Sequence, residues 1–426
     1  MSTHPLVANL ALRIASTLIL APAVANAQAV LSPPTNLEPA NVTGQPAPAQ
    51  TKAPSASKIG SLLRKTGPLA KWGPINVRPH LSYNLSYGDG LLNPEQQESN
   101  ESYIHAVGIG SLFEVGQHWT VDYTALKNFY SNLYIRDTLD HNLNIAGHLS
   151  RDEWTFSLSL VYGSNTPLLV ETGRQTKQEF YTISVSTSYQ LGDRTLLDAS
   201  VVRTARLANA DIENPRWTDA DWYSWILSGR ANYQISPRLT LGAGVELTFD
   251  DVSRGANMSS TQPHLLITWR PTNKISLTAR GGAESRRIDD TNADTLENPI
   301  YSASLGYEPL PTTTIGISAT QAVTASYFAN QASRNTTIGV NLSQRILQRY
   351  FLSAGASRGT TDYIATARGF LAGRTDRFTS YNARVSTVFL GRGSIGIFFQ
   401  TGRNHTNERE FDFSSRQYGM ETSYRF

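Results

Sequence analysis

Apolar and polar residues alternate along most of this chain, from about residue 76 to the carboxy-terminus. Leu81, Tyr83 and Leu85, for example, alternate with Ser82 and Asn84, whereas a helical period of 3.6 is almost absent. A period of two puts one apolar and one polar face on a β-strand. Many of these runs reach roughly ten residues, which is the length that a tilted strand needs to cross a bilayer. The pattern therefore predicts membrane-spanning strands.

The connections between these runs are sorted by length. Short turns are predicted at 150–152, 192–194, 236–238, 271–273, 309–311 and 391–393. Long polar stretches are predicted between them, at 88–101, 164–176, 208–220, 250–260, 285–298 and 360–376. Short turns on one side and long loops on the other are typical of outer-membrane barrels, in which the short turns are periplasmic.

Together these signals predict the fold class: an all-β, transmembrane, antiparallel up-and-down β-barrel of about 16–18 strands, formed by residues 76–426. The alternation gives eighteen strands, and sixteen stays open as an alternative. The predicted strands are 76–88, 102–115, 117–131, 137–149, 152–163, 177–191, 195–207, 221–235, 238–250, 261–270, 274–284, 299–308, 312–325, 335–346, 349–358, 377–390, 393–403 and 412–426. An even number puts both ends of the barrel on the periplasmic side.

The amino-terminal region differs from the rest of the chain. Arg13 precedes an apolar run from 14 to 24, and small residues at 25–27 offer a cleavage site. We expect residues 1–27 to be a cleaved signal peptide. Residues 28–75 are rich in proline and read as a periplasmic tether. Leucines near 59–63 fit either a short amphipathic helix in the pore or on the membrane face, or a solvated tether.

Composition excludes several functions. A net charge of +3 with interspersed signs argues against a nucleic-acid binder. The absence of cysteine removes disulfides, thiolate metal sites and cysteine nucleophiles. The sequence contains no motif for a phosphate, dinucleotide or metal, so we expect no cofactor and no enzyme activity. A hydrolase would need a set such as His118, His148, Asp122 and Asp140, but nothing marks a nucleophile.

Charged residues on the predicted polar face are candidates for lining a pore. They are Asp122, Asp140, Asp198, Arg230, Glu246, Arg280, Glu284, Arg345 and Arg384. Such a mixed set can steer a solute or form salt bridges that stabilise the wall, and both roles stay open. The predicted long loops also carry aromatic and acidic residues, Trp217, Asp219 and Asp221 in one loop and Asp289, Asp290, Asn292 and Asp294 in another. These fit glycan or cation binding, or simply a solvated loop.

The last strand has Tyr418, Met420, Tyr424 and Phe426 on one face, and the chain ends on the aromatic ring. With the signal segment, the Pro-rich spacer and the alternating strands, this ending resembles porin-like outer-membrane β-barrels of Gram-negative bacteria. That family includes barrels associated with exopolysaccharide export.

The resemblance implies that these four side chains form the signal read by the barrel-assembly machinery. It also implies contact with outer-membrane lipid and passage of a hydrophilic solute or export of a glycan. A plugged structural or adhesive barrel with partner-binding loops is the main alternative, and a barrel hydrolase is a weaker one.

The barrel prediction has a direct test on a detergent gel. A closed β-barrel resists unfolding by detergent alone, so the unheated mature protein should migrate faster than the boiled protein. A band from the soluble fraction that does not shift on boiling would contradict the barrel.

Overall fold

The alternating segments pair side by side into one wall in the computed structural model of the chain. The structure describes residues 70–89, 101–133, 135–169, 174–208, 221–253, 255–289, 295–326, 331–366, 373–408 and 411–426. The predicted signal peptide and most of the predicted tether lie outside these residues. Among the described residues, no helix is long and apolar enough to cross a bilayer.

Eighteen long strands form the wall within the described residues. They are β1 (Ile75–Asp89), β2 (Ser102–Val115), β3 (Trp119–Tyr130), β4 (Thr138–Arg151), β5 (Trp154–Asn165), β6 (Gln178–Leu191), β7 (Thr195–Ala208), β8 (Trp222–Ser236), β9 (Leu239–Val252), β10 (Met258–Thr272), β11 (Ile275–Ile288), β12 (Leu296–Tyr307), β13 (Thr313–Ala325), β14 (Gln331–Ile346), β15 (Tyr350–Ala365), β16 (Thr375–Phe389), β17 (Gly393–Thr406) and β18 (Phe413–Arg425). Each pairs antiparallel with the next, and β18 pairs with β1. The predicted fold class, and the larger of the two strand numbers, are confirmed.

The wall closes where the last strand meets the first. The register runs from His80 opposite Arg425 to Asp89 opposite Arg416, and the amide of Phe426 donates to the carbonyl of Pro79 at 2.9 Å. Towards the short-turn end, residues 75–78 of β1 extend beyond the last residue of β18. The short strand Ala70–Trp72 folds back and pairs with residues 75–77 there. The exposed edge of β1 is thereby covered at the barrel's rim, which an unpaired strand edge requires.

The short turns lie at the same end of the barrel as both ends of the wall. Gly116 and Gly192 have φ values of 60° and 66°, a left-handed conformation that glycine adopts without a steric cost. Leu347 and Leu390 adopt similar φ values, 48° and 52°, at a steric cost, because leucine carries a Cβ atom. Tight turns at this end and longer connections at the other are the asymmetry predicted from the sequence.

An apolar belt surrounds the outside of the barrel. Leu81, Ile109 and Leu265 are among the large apolar side chains that remain exposed on this face. Between Val77 and Tyr87, β1 rises about 33 Å along its own axis, or about 25 Å when tilted by about 40°. That height matches the hydrocarbon thickness that outer-membrane barrels cover.

Aromatic rings mark both borders of this belt. Trp119 and Trp154 begin their strands at the short-turn end, and Trp154 packs on Tyr189 with ring centroids 4.6 Å apart. Towards the long loops, Tyr87 contacts the ring of Tyr418 at 5.3 Å. Tyr and Trp favour such borders because one end of the ring is apolar and the other polar.

Several strands extend further towards the long loops than the sequence analysis predicted. The predicted loop 250–260 is reduced to 253–257, and the predicted loop 285–298 is reduced to 289–295. β15 continues to Ala365, although the predicted strand ended at 358. These extensions lie beyond the apolar belt, where outward positions are polar, such as Arg287 and Thr360. The alternation of hydrophobicity fades there while the hydrogen-bonded pairing continues.

Closure at the β1–β18 seam depends on Gly419. A Cβ atom at this position would lie 2.2 Å from the carbonyl oxygen of Leu85, whereas one at Gly229 on β8 would meet nothing within 4 Å. Gly419→Ala should therefore lower barrel stability by about 1–3 kcal/mol, because the backbone must shift. Urea unfolding monitored by the heat-dependent gel shift measures this. Gly229→Ala is the matched control, and equal stabilities of the two variants would contradict the prediction.

Candidate functional site

The inner wall carries a band of hydrogen-bonded charges across neighbouring strands. On β7, Asp198 accepts hydrogen bonds from Ser188 on β6 at 2.7 Å and from Arg230 on β8 at 2.7 Å. The amide of Asn232 donates to the same carboxylate at 2.7 Å. Pairing β7 with β6 and β8 sets these side chains side by side on one face. The predicted lumen residues Asp198 and Arg230 are thus brought together as an ion pair.

A second group of paired charges lies on β9, β10 and β11. Arg280 lies 3.3 Å from Glu246, and its guanidinium also lies 3.3 Å from Nδ1 of His264. Gln262 donates to Glu284 at 2.9 Å. Glu246 and Glu284 have no exposed surface. In this conformation a solute in water does not reach them, which favours the wall-stabilising role over the steering role for these two residues.

Arg286 is the centre of this second group and is not among the lumen residues predicted from the sequence. Its guanidinium donates to Glu284 at 2.7 Å and to Asp250 on β9 at 2.9 Å. The indole of Trp222 donates to the other oxygen of Asp250 at 3.1 Å. Arg286 lies in a predicted loop because the predicted strand ends at 284, and Asp250 lies at the last position of the predicted strand 238–250. The signal that could have found Arg286 is the continued alternation of Glu284, Arg286 and Ile288.

The remaining predicted lumen residues have separate surroundings. Arg384 on β16 forms an ion pair with Glu421 on β18. Asp140 accepts a hydrogen bond from Asn128 at 2.9 Å. Asp122 is half-buried on the inner face of β3. Arg345 lies at the short-turn end and donates to the carbonyl of Gln348 at 2.7 Å and 2.9 Å.

The four residues that a hydrolase would need are not assembled. His118 and His148 contact each other, with ring centroids 5.6 Å apart, at the exposed short-turn end. Asp140 lies eight residues along β4 from His148, about 26 Å away at the rise of an extended strand. Within the described ranges, no three acidic or histidine side chains come together as a set that could hold a metal ion.

At the long-loop end β13 separates from β12, and the upper parts of β13 and β14, which remain attached to the wall through β15, lean into the lumen. The ladder between β12 and β13 runs from Tyr307 only to Tyr301, which lies opposite Gln321. Two residues further, the same register would put Pro299 opposite Val323, and proline has no amide hydrogen to donate. The side chain of Gln321 instead donates to the carbonyl of Pro299 at 2.7 Å. β13 and β14 stay paired to Ala325 and Ala332, and β14 stays paired with β15 to Gln331 and Ala365.

Contacts across the lumen hold this hairpin in place. Arg286 on β11 donates to the carbonyl of Val323 at 3.2 Å, and Arg206 on β7 donates to that of Ser326 at 2.8 Å. β7 and β13 are six strands apart, about 29 Å around the wall. The hairpin therefore reaches across the lumen towards the wall formed by β7 to β11.

Apolar packing completes this arrangement. Val323, Ala325 and Ala332 of the hairpin pack in one buried cluster with Met258 and Ile288 of the wall, together with Val252. These contacts remove apolar surface from water inside a lumen that is otherwise polar. The hairpin consequently narrows the passage at the long-loop mouth, and we refer to residues 322–326 and 331–335 as the constriction hairpin.

Comparison with known proteins gives structural likeness only. No family model matches the sequence, and no curated protein matches it. The fold is similar to a solved structure of Acinetobacter baumannii OccAB3, with 10% identity, a TM-score of 0.43, and coverage of 82% of this chain and 99% of the other. It is also similar to the outer membrane protein opdK of Pseudomonas aeruginosa, at 14% identity and a TM-score of 0.43, covering 82% and 98%.

A third similar structure is OpdL of Pseudomonas aeruginosa, at 12% identity and a TM-score of 0.43, covering 83% of this chain and 99% of the other. At these identities and TM-scores, the likeness says nothing about what this barrel carries.

The buried ion-pair group makes a prediction about stability. Arg286→Met would leave Asp250 and Glu284 buried without their cation, and removing one partner of a buried pair typically costs about 3–5 kcal/mol. We expect a loss of that size in the free energy of unfolding, measured by urea titration in detergent. The neighbouring Arg287, exposed on the outer face, provides the control. Arg287→Met should change stability by less than about 0.5 kcal/mol.

Equal losses for the Arg286 and Arg287 variants would show that the inner ion pairs do not support the wall.

Proposed function

We propose that this protein is an outer-membrane channel that conducts small hydrophilic solutes passively, through a lumen narrowed at its long-loop mouth by the constriction hairpin. The observation that carries the proposal is the closed eighteen-strand wall with an apolar outer belt and a polar, charge-paired inner face. A wall of this size is too wide for its own side chains to fill. Water and solute can then occupy what the hairpin leaves open.

Location in the outer membrane is part of the same proposal. Its supports are the apolar belt about 25 Å tall, the aromatic borders and the sorting of short turns from long loops. The barrel-assembly signal proposed for Tyr418, Met420, Tyr424 and Phe426 is consistent with their outward position on the closing strand. Contact with the assembly machinery and cleavage after residue 27 stay predictions from the sequence.

The charges of the inner face support a channel that selects only weakly between anions and cations. Asp198 with Arg230, Glu246 with Arg280, and Glu421 with Arg384 are pairs in which the charges largely cancel at a distance. A pore that strongly selects ions needs unpaired charges of one sign at its narrowest point. We therefore favour small, uncharged or weakly charged hydrophilic solutes.

Export of a glycan is the finer function that the family resemblance implied. A polysaccharide strand needs a continuous passage along the whole axis, and the constriction hairpin obstructs the long-loop mouth. Small solutes are for this reason the preferred cargo. A plugged barrel that binds partners through its loops is the rival that the test must separate.

Planar-bilayer recordings test conduction, and two arginines of β7 provide a matched pair of variants. Arg206 bonds the constriction hairpin inside the lumen, while Arg203 stacks on Trp225 outside, 4.7 Å from the ring centroid. We expect discrete conductance steps for the wild type and larger or noisier steps for Arg206→Ala, because the hairpin loses an anchor. Arg203→Ala should conduct like the wild type.

A silent bilayer at high protein load would refute the channel. Conductance steps that are identical in the wild type and the Arg206 variant would leave the channel standing but would refute the role given to the hairpin.

A further inference from the structure

Four arginines lie together on the outer wall, just beyond the aromatic border at the long-loop end. They are Arg358 on β15, Arg377 on β16, Arg403 on β17 and Arg416 on β18, and all four are exposed. We name these four residues the arginine patch. It lies on four neighbouring strands, which span about 14 Å at the usual strand spacing.

The strand register places the four side chains on one face. Arg358 lies opposite Thr379, and Thr379 lies opposite Arg403. Arg377 is two residues from Thr379 on β16, and Arg416 lies opposite Thr401, two residues from Arg403. All of these positions share their parity with exposed apolar residues of the same strands, so the patch faces outward.

The height of the patch is fixed by the rings beneath it. Tyr418 is two residues from Arg416, Phe399 is four residues from Arg403, and Tyr381 is four residues from Arg377. All three rings are exposed on the outer face. Two to four residues are about 7–13 Å along a strand. Side chains at this distance from an aromatic border lie at the level of lipid headgroups rather than acyl chains.

Few anions of the described part of the chain offset the patch. Asp362 on β15 is paired with Arg334 of the constriction hairpin at 3.0 Å, and Asp412 lies 3.4 Å from His405. Asp89 lies opposite Arg416 at the edge of the patch. Some other outward cations rest on rings, as Lys127 does over Phe129 at 5.4 Å and Arg203 does over Trp225 at 4.7 Å. Four adjacent like charges repel one another, so an external anion at this level would stabilise the wall.

We propose that the arginine patch binds the phosphate groups of a membrane lipid, one whose headgroup carries phosphate monoesters, in the leaflet around the long-loop end. Guanidinium groups suit this ligand because they bind phosphate oxygens in a bidentate manner. The apolar strip below the patch accommodates the acyl chains of the same lipid. The inference rests on the proposed membrane location of the barrel, but not on conduction through its lumen.

Native mass spectrometry of the detergent-solubilised full-length barrel tests the proposal. One probe is a diglucosamine lipid with two phosphate monoesters, and the other is the same lipid without its phosphates. The variant is Arg358→Gln/Arg377→Gln/Arg403→Gln/Arg416→Gln. The control replaces four exposed arginines of the short-turn end, Arg151, Arg194, Arg270 and Arg349, by glutamine.

We expect the wild type and the control to retain the phosphorylated lipid and the four-residue variant to bind it at least about tenfold more weakly. The dephosphorylated lipid should bind all three proteins weakly. A faster unheated band on a detergent gel verifies that each variant is folded, and Arg377→Gln/Arg403→Gln serves if the larger variant does not fold.

Equal binding by the wild type and the patch variants, or equal binding of both lipids, would overturn the proposal. Full displacement of the lipid by millimolar inorganic phosphate would also overturn it, because the site would then be one for free anions. Failure of conduction is separate, since a silent bilayer with intact lipid binding refutes the channel alone.

Discussion

The need to satisfy backbone hydrogen bonds in a lipid environment governs this structure. An unpaired N–H or C=O group in hydrocarbon costs several kcal/mol, so a strand wall must close on itself. Closure here is made by β18 against β1, down to the bond from the amide of Phe426 to Pro79. The even strand number and the position of both ends of the wall at the short-turn end follow from it. Where β1 extends beyond its partner, Ala70–Trp72 supplies the missing pairing.

A closed wall of eighteen strands encloses a lumen that is too wide for its own side chains to fill. Two features of the inner side follow from this width. Charged side chains bond one another in groups, as Asp198 and Arg230 do, which offsets the cost of withdrawing them from water. The constriction hairpin occupies part of the remaining space. Its separation from β12 begins beyond the pair Tyr301–Gln321, where Pro299 has no amide hydrogen to continue the ladder, while β14 remains paired with β15. The interrupted pairing between β12 and β13 thus allows the constriction hairpin to lean inward and narrow the lumen.

The outer face changes in composition along the barrel axis in the order that a bilayer would require. Apolar side chains cover the height of the hydrocarbon, rings lie at both borders, and the arginine patch lies above one of them. The same period of two produces this face and the polar lumen, because alternate residues of each strand point in opposite directions. The two proposals therefore concern opposite faces of the same strands: Arg384 on β16 faces the lumen, whereas Arg377 faces outward.

The sequence by itself predicted an all-β barrel, a count of eighteen strands with sixteen left open, and the face of each strand, because these depend on a local period that each segment reveals alone. It also selected Asp198, Arg230, Glu246 and Arg280 as inward residues. It did not reveal the ion pairs of Arg286, the inward turn of the constriction hairpin or the assembly of the arginine patch. Those depend on register and on contacts across the lumen, which join residues as far apart in the chain as Arg206 and Ser326. Only the closed tertiary structure brings such residues together.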